Sequence, residues 1–224
     1  MPEFTLDCQG VYRSRLLGAL AFIEHGFGSA ASAGWPDPAR LLTLRQVHSG
    51  RVVCVGGSAK PGCAGEGDAL VTRCPGVLLG VRTADCVPIL IADPIRRAVA
   101  AVHAGWRGTI AQVVRRTVET LAAEFGSNPS DLLAAIGPSI GPCCYQVGPE
   151  VARQFCDIFP ERAELEGGAH IDLAEANRRL LVQAGVAEWR IGTGAPCTFC
   201  TPGLHSFRRD HSQARMVSAI GLAP

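Results

Sequence analysis

The densest hydrophobic segments of the chain are short, continuous apolar runs rather than alternating ones. Such runs predict strands that are covered on both faces. Glycine clusters, the TADC segment and an Asp-Pro pair separate these runs, as expected for turns between neighbouring strands. The strands predicted in the first half of the chain span residues 51–55, 69–72, 76–82, 87–93 and 96–104.

Helical periodicity begins immediately after these strands. Apolar residues at helical spacing predict a single helix over residues 109–125, and Gly126 is placed to cap its end. Further along, the pattern predicts strands at 132–137 and 188–192 and helices near 150–158 and 173–184. The mixture indicates an α/β (α+β) fold, a single domain over residues 1–224 with mixed β-sheet layers flanked by helices.

Composition excludes several classes of protein. Hydrophobic residues make up 47% of the chain and charged residues 18%, which is incompatible with an intrinsically disordered protein. The formal net charge of +1 provides no field that would attract nucleic acid or an anionic membrane. No run approaches the roughly 18 apolar residues of a membrane span, and the N-terminal segment is a poor signal peptide. We therefore expect a cytoplasmic protein whose ten cysteines are reduced thiols.

Reactive side chains end three of the predicted strands, in the segments QVHS (46–49), TADC (83–86) and VHAGWRG (102–108). Two imidazoles and one thiolate, from His48, Cys86 and His103, form a standard ligand set for catalytic zinc. Cys86 and His103 also suit a nucleophile and its base, and each of the three side chains alone is compatible with an ordinary core position. The intervals of 38 and 17 residues match no local metal motif, so spacing leaves these alternatives open.

A longer set of motifs resembles one known family. The segments RQVHSG, GDALVT, TADCVPIL, HAGWRGT, GPSIGPCCYQVG and SFRRD occur in the order found in the YfiH-type laccase-domain family. Its members have been called polyphenol oxidases and purine nucleoside phosphorylases. The resemblance implies a YfiH-like fold and makes His48, Cys86 and His103 both zinc ligands and catalytic residues.

The resemblance also implies the reactions. Family members cleave adenosine, inosine, guanosine or methylthioadenosine with phosphate and also deaminate adenosine, with zinc-bound water attacking the purine carbon that carries the amine. The expected partners are therefore a purine nucleoside and phosphate, not nucleic acid or a membrane, with the chain a monomer or a weak homo-oligomer. Two segments, 25–40 and 205–215, depart from the family pattern, which leaves the preferred nucleoside open.

Six residues are candidates for substrate binding. Arginines are expected to hold the phosphate, and Arg107 would do so together with the N–H groups at the start of the predicted helix. The two aspartates would bind a ribose hydroxyl or a base nitrogen, and the cysteine would line a nearby loop. The candidates are Arg45, Asp68, Arg82, Asp85, Arg107 and Cys143.

Three other interpretations compete with this one. A copper-dependent polyphenol oxidase would use copper in the same trio, although six histidines are too few for a full multicopper set. A cysteine hydrolase acting on peptidoglycan precursors would use Cys86 as its nucleophile. Finally, His170, Asp172, Cys197 and Cys200 resemble a nucleobase-deaminase zinc motif, but aspartate replaces its glutamate and a proline follows where a helix is required. We expect Cys197 and Cys200 to be packed thiols.

Overall fold

The computed structural model describes residues 2–32, 34–57 and 59–223, which form fifteen strands and six α-helices. The strands are β1 Phe4–Leu6, β2 Val11–Ser14, β3 Ile23–Gly28, β4 Leu41–Arg45, β5 Val52–Cys54, β6 Gly62–Glu66, β7 Ala69–Thr72, β8 Leu78–Thr83, β9 Val87–Asp93, β10 Ala98–Ala104, β11 Leu133–Ile136, β12 Gln146–Val147, β13 Ala169–His170, β14 Ile191–Gly192 and β15 Met216–Leu222.

The helices are short apart from α3 and α5. They are α1 Arg15–Gly18, α2 Trp106–Ile110, α3 Val113–Phe125, α4 Pro149–Ala152, α5 Leu173–Gln183 and α6 Phe207–Asp210. Four 3₁₀ segments accompany them, at Pro129–Asp131, Arg153–Phe155, Ala163–Gly167 and Glu188–Arg190. Across the described parts of the chain, every helix falls short of the length and apolar character that crossing a bilayer requires.

The strands form two large sheets and one small one. The seven-stranded sheet has the order β1-β2-β3-β15-β8-β4-β6, the six-stranded sheet has the order β14-β11-β9-β10-β7-β5, and β12 pairs with β13. Both sheets mix parallel and antiparallel neighbours. The chain passes from the seven-stranded to the six-stranded sheet three times, between β4 and β5, between β6 and β7, and between β8 and β9. These three crossings contain His48, Asp68 and Cys86 respectively.

The six-stranded sheet is buried on both faces, as the continuous apolar runs predict. Along β9, Leu90 and Ala92 face a core shared with the seven-stranded sheet. Ile89 and Ile91 alternate with them and face a second core, which includes side chains of α3 and α5. The layers are therefore sheet, sheet and helices, with the predicted strands 69–72 and 87–93 confirmed at the same bounds.

The helix predicted over 109–125 is wrong as a single element. Gln112 adopts a left-handed conformation with φ of 58°, which ends α2 and separates it from α3. The hydrophobic spacing continues across this break, so the pattern alone does not reveal it. The predicted cap is confirmed, because Gly126 has φ of 68° and its N–H donates to the carbonyls of Leu121 and Ala122.

Two further predicted elements are shorter than expected. The helix near 150–158 is α4 followed by the 3₁₀ turn Arg153–Phe155, and the strand 188–192 is a 3₁₀ turn followed by β14. The remaining predicted strands and the helix 173–184 are confirmed, with bounds that shift by one or two residues at either end.

Candidate metal centre and active-site cavity

Three side chains at or near the ends of separate strands converge where the chain passes between the two large sheets. His48 follows β4, Cys86 precedes β9, and His103 lies near the end of β10. Their ligand atoms all lie within 4.8 Å of one another. The two imidazole rings have centroids 4.9 Å apart and are inclined at 81°, so they approach the thiol from different directions. Two nitrogens and one sulfur at this spacing match a zinc site with an open position.

Asp68 holds His48 and His103 in position through hydrogen bonds. One carboxylate oxygen accepts hydrogen bonds from the backbone N–H of His48 at 2.9 Å and from Nδ1 of His103 at 2.9 Å. The other accepts from the N–H and the hydroxyl of Ser49, at 2.6 and 2.8 Å. With Nδ1–H donated to Asp68, the Nε2 atom of His103 is the ring nitrogen that can bind a metal.

The prediction that Asp68 binds substrate does not agree with this geometry. Its side chain is fully buried and lies outside the set of residues that line the cavity described below. Its two oxygens are occupied by the four hydrogen bonds to His48, Ser49 and His103. Asp68 is therefore a positioning residue for the two histidines.

The electrostatics of the cluster favour a thiolate. Burial opposes ionisation of Cys86, but hydrogen bonds from His103 and His48 prevail and lower the thiol's pKa to about 6. Burial likewise opposes charge on His103, yet the bonds to Asp68 and Cys86 raise its pKa to about 9. Burial would raise the pKa of Asp68, but its bonds with His103 and Ser49 lower it to about 2. Cys86 is thus prepared to bind a metal as an anion.

Gly105 leaves room for the cluster. A Cβ atom at this position would lie 2.9 Å from Sγ of Cys86 and 3.1 Å from a ring carbon of His48. The backbone of Gly105 is ordinary for any residue, with φ of −72°. Space beside the sulfur, not backbone conformation, therefore requires glycine in the HAGWRG segment.

His48, Cys86 and His103 line a cavity of about 690 Å³, a size typical of small-molecule sites. Its walls contain the aromatic side chains of Trp106, Tyr145 and Phe207. Burial, followed by the negative charge of Cys86, raises the pKa of Tyr145 to about 12. Its hydroxyl therefore keeps its proton and is available as a hydrogen-bond donor.

Four arginines also line the cavity, at positions 45, 82, 208 and 215. Arg45 and Arg82 are among the predicted residues. Arg45 forms an ion pair with Glu66, and the side-chain amide of Gln46 holds the backbone of Arg82 through two hydrogen bonds of 2.8 Å. Arg208 and Arg215 were not predicted, although SFRRD contains the first of them.

Arg107 does not join this group. Its side chain is exposed, stacks 4.3 Å over the ring of Trp106, and lies outside the cavity lining. The helix α2, in which it is the second residue, has only five residues. The structure thus places Arg107 outside the cavity lining, and its role in binding phosphate stays a prediction.

Asp85 lines the cavity, but its carboxylate is already engaged. It accepts hydrogen bonds of 2.7 Å from the hydroxyl of Thr198 and from the backbone N–H of Arg208. These bonds join the TADC turn to the C-terminal segment that supplies Phe207 and Arg208. Asp85 thus fixes one wall of the cavity, and a left-handed backbone with φ of 85° accompanies this arrangement.

Cys143 lies outside the cavity lining and belongs to a second group of sulfurs. Cys143, Cys144, Cys197 and Cys200 have sulfur atoms within 4.8 Å of one another. The packed thiols expected at 197 and 200 are therefore half of a larger cluster. His170 and Asp172 have other roles, since the imidazole bonds the carbonyl of Pro142 at 2.6 Å and the carboxylate caps α5. The deaminase-like motif does not assemble.

Comparison with known proteins agrees with the motifs. The family described as "Multi-copper polyphenol oxidoreductase laccase" matches residues 28–223. The chain belongs to this family. The resemblance to YfiH-type proteins is confirmed by relatives that are similar over most of its length.

Two such relatives are named as purine nucleoside phosphorylases. The protein from Deinococcus radiodurans is 42% identical over 94% of this chain and 76% of its own length. YfiH of Escherichia coli is 36% identical over 83% of this chain and 75% of its own length. A protein named adenosine deaminase RL5, from an unknown prokaryotic organism, is 40% identical over 71% of this chain and 66% of its own length.

Solved structures of the laccase-type family share the fold. YlmD from Geobacillus stearothermophilus has a TM-score of 0.89 at 29% identity, and the superposition covers 100% of this chain and 100% of YlmD. YfiH from Bacillus licheniformis has the same TM-score at 27% identity over 99% of this chain and 100% of its own. The predicted α/β fold class is confirmed.

Proposed function

We propose that this member of the laccase-type family is a zinc-dependent purine nucleoside phosphorylase that also cleaves methylthioadenosine and deaminates adenosine. The observation that carries the proposal is the His48, Cys86 and His103 cluster at one end of a cavity whose walls combine aromatic rings with arginines. The names of the relatives from D. radiodurans and E. coli, and of adenosine deaminase RL5, support the same chemistry.

The donor set supports zinc as the resident metal. His48 and His103 would bind it as neutral imidazoles and Cys86 as a thiolate, with Asp68 fixing the tautomer of His103. When bound, zinc lowers the pKa of a coordinated water and so supplies the nucleophile that deamination requires. Copper would fit the same trio, but the chain has six histidines, fewer than a multicopper oxidase uses for all its centres.

The cavity walls support a purine nucleoside and phosphate as substrates. A purine base stacks favourably on aromatic side chains such as Trp106 and Phe207, which line the cavity. The neutral Tyr145 hydroxyl can donate a hydrogen bond to a purine nitrogen and so stabilise the departing base.

Guanidinium groups of arginine can donate paired hydrogen bonds to a phosphate ion bound in the same cavity. Arg82, Arg208 and Arg215 are the candidates, because none of their guanidinium groups is paired with a carboxylate among the described residues, whereas that of Arg45 is paired with Glu66. Their charge would hold the phosphate for attack on the anomeric carbon of the ribose. The proposal places this reaction in the cytoplasm, where thiols such as Cys86 stay reduced, with no nucleic acid or membrane partner and a monomeric or weakly associating chain.

The experiment is an assay of zinc-loaded protein with adenosine and phosphate, followed by separation of the products. Phosphorolysis yields adenine and ribose 1-phosphate, and deamination yields inosine. Cys86→Ala should abolish both, whereas Cys54→Ala, an exposed cysteine on β5, should retain both. Absence of product with wild type, or full activity in Cys86→Ala, would overturn the proposal.

A second candidate is a cysteine hydrolase acting on peptidoglycan precursors, and one observation favours it. Asp68 accepts a hydrogen bond from His103, whose ring nitrogen lies within 4.8 Å of the Cys86 sulfur, and this order of acid, base and thiol is the kind that activates a thiol nucleophile. Such an enzyme would keep its activity after chelation of metals and would form a covalent adduct at Cys86 with an electrophilic substrate analogue. The zinc-dependent phosphorylase would lose activity on chelation.

A further inference from the structure

A second group of potential metal ligands lies apart from the cavity lining. The sulfur atoms of four cysteines are mutually within 4.8 Å, and none of these residues lines the cavity that holds His48, Cys86 and His103. Two come from the turn after β11 and two from the loop that follows β14. The four-cysteine cluster consists of Cys143, Cys144, Cys197 and Cys200.

The spacing fits one tetrahedral ion. With zinc–sulfur bonds of about 2.3 Å, thiolates at the corners of a tetrahedron lie about 3.8 Å apart. Sγ of Cys200 lies 3.7 Å from that of Cys143 and 3.3 Å from that of Cys144, so small side-chain adjustments would complete the geometry. An iron–sulfur cluster needs wider spacing, because each of its metal atoms is bound by separate thiolates.

The backbone around the sulfurs is arranged as in a thiolate metal site. The N–H of Gly141 points at Sγ of Cys197, at 3.2 Å, and such hydrogen bonds stabilise the anionic form that binds a metal. The two loops are joined here by the N–H of Thr198, which donates to the carbonyl of Ser139 at 3.0 Å. The ligands thus sit on backbone that is already paired, not on free loop ends.

The four-cysteine cluster lies between two loops that contribute residues to the cavity wall. The first loop carries Ile140 and Tyr145, and the second leads to Phe207 and Arg208, all of which line the cavity. α6, which begins at Phe207, has only four residues and follows a segment without regular structure. A metal bound between the two loops would fix their separation and with it one wall of the cavity.

We propose that Cys143, Cys144, Cys197 and Cys200 bind one zinc ion in a structural tetrathiolate site that joins the two loops. The ion is held by four sulfurs and has no open position, so it takes no part in the chemistry of the cavity. The competing use of the same sulfurs is as one or two disulfides, which would leave fewer than four thiolates and no metal.

The test uses the full chain carrying Cys86→Ala, so that the His48, Cys86 and His103 site lacks its thiolate and contributes no thiolate signal. The protein is purified anaerobically without reductant, stripped of metal and titrated with Co²⁺, which reports thiolate ligands through its visible absorption. We expect one equivalent of cobalt with the intense bands of tetrahedral thiolate coordination, and displacement of that cobalt by zinc. Introducing Cys197→Ser and Cys200→Ser together into the Cys86→Ala protein should abolish the bands. The matched control introduces Cys54→Ser and Cys63→Ser together, at two exposed cysteines outside both clusters, and should leave the bands unchanged.

Two results would overturn the proposal. One is the absence of thiolate bands in Cys86→Ala protein whose four cysteines are intact and reduced. The other is an intact mass lower by two hydrogens for each disulfide in the anaerobic preparation. Both measurements are made without altering the four-cysteine cluster, so they do not depend on the folding of the serine variants. Neither result bears on the nucleoside reaction, which is assayed with Cys86 present.

Discussion

Nδ1 of His103 donates a hydrogen bond of 2.9 Å to a carboxylate oxygen of Asp68 that also accepts from the backbone N–H of His48. One buried oxygen therefore sets the position of two candidate metal ligands. The TADC and HAGWRG segments supply the sulfur and one ring, and the GDALVT segment supplies the acid that orients them.

Replacement of Asp68 by Asn should weaken metal binding. The amide oxygen can still accept the bonds from His48 and His103, but the NH₂ group cannot accept the two from Ser49, and the charge that favours the His103 N–H is lost. Loss of such an outer partner typically costs 10- to 100-fold in metal affinity, and we expect activity to fall with it. Competition with a chelator of known affinity measures the change, and Asp157→Asn, an exposed acid, is the matched control. Unchanged affinity in Asp68→Asn would contradict the positioning role.

Gly105→Ala should disturb the cluster directly. The added methyl group would meet Sγ of Cys86 at 2.9 Å, closer than van der Waals contact allows. Overpacking of this kind typically costs about 1–3 kcal/mol, and here the sulfur must move away from the histidines. We expect reduced zinc occupancy, measured by elemental analysis. Gly56→Ala is the control, since a Cβ atom there meets nothing within 4 Å and the variant should keep its metal.

Arg208→Gln and Arg82→Gln should each raise the KM for phosphate, because both guanidinium groups line the cavity. Loss of a charged hydrogen bond to an anion costs about 1.5–3 kcal/mol, or roughly 10- to 150-fold. Initial rates at varied phosphate give the values, with Arg115→Gln on the exposed face of α3 as the control. If Arg107→Gln raises the KM for phosphate more than either cavity variant does, phosphate is bound at Arg107, as the sequence predicts, and not by these two cavity arginines.

His25 should make the fold sensitive to acid. It is 5% exposed, its Nε2 accepts the N–H of Ser14 at 3.0 Å, and burial together with the charge of Arg13 lowers its pKa to about 4. Because an unfolded histidine titrates near about 6.5, the neutral ring stabilises the fold fully above that pH, and the contribution is lost as the pH falls toward 4.

The measurement is denaturant unfolding of metal-free protein between pH 7 and pH 4. Over this range wild type should lose about 3 kcal/mol more than His25→Gln, whose side chain does not titrate. His211→Gln, which removes an exposed imidazole, should follow the wild-type curve. Parallel curves for wild type and His25→Gln would show that the ring does not titrate in this way.

Gln112→Gly should stabilise the protein. Gln112 has φ of 58°, a conformation that costs a residue with a side chain about 1–2 kcal/mol relative to glycine. Among the described residues, the one side-chain hydrogen bond lost is that from Arg115, at 3.3 Å. Gln112→Ala removes the same bond but keeps the strained backbone, so it should show no gain in the free energy of unfolding. Equal stabilities for the two variants would mean that the left-handed turn stores no strain.

The strands and the grouping of His48, Cys86 and His103 were predictable, but for different reasons. Continuous apolar runs identify β9 and β10 directly, since both faces of these strands are buried. The trio rested on family resemblance, because the chain encodes no local spacing for residues that meet only where two sheets are joined. Its role as the metal site is still a prediction that the experiments above address.

Other features were inaccessible to pattern reasoning. The break at Gln112 leaves the hydrophobic spacing intact. The place of Arg107 outside the cavity lining depends on the direction of its side chain at the start of α2, which residue spacing does not encode. The four-cysteine cluster joins two loops that are far apart in the chain, so the adjacent pair and the Cys-x-x-Cys pair appeared unrelated in the sequence.

Dependence of phosphorolysis on zinc tests the central proposal most directly. Metal-stripped protein is titrated with zinc while the initial rate of ribose 1-phosphate formation from adenosine and phosphate is followed. Cys86→Ala serves as the parallel sample. We predict that wild type starts without activity and gains it as zinc is added, while Cys86→Ala gains none. Full activity in the stripped wild-type protein, or equal gains in both proteins, would contradict a zinc site formed by His48, Cys86 and His103.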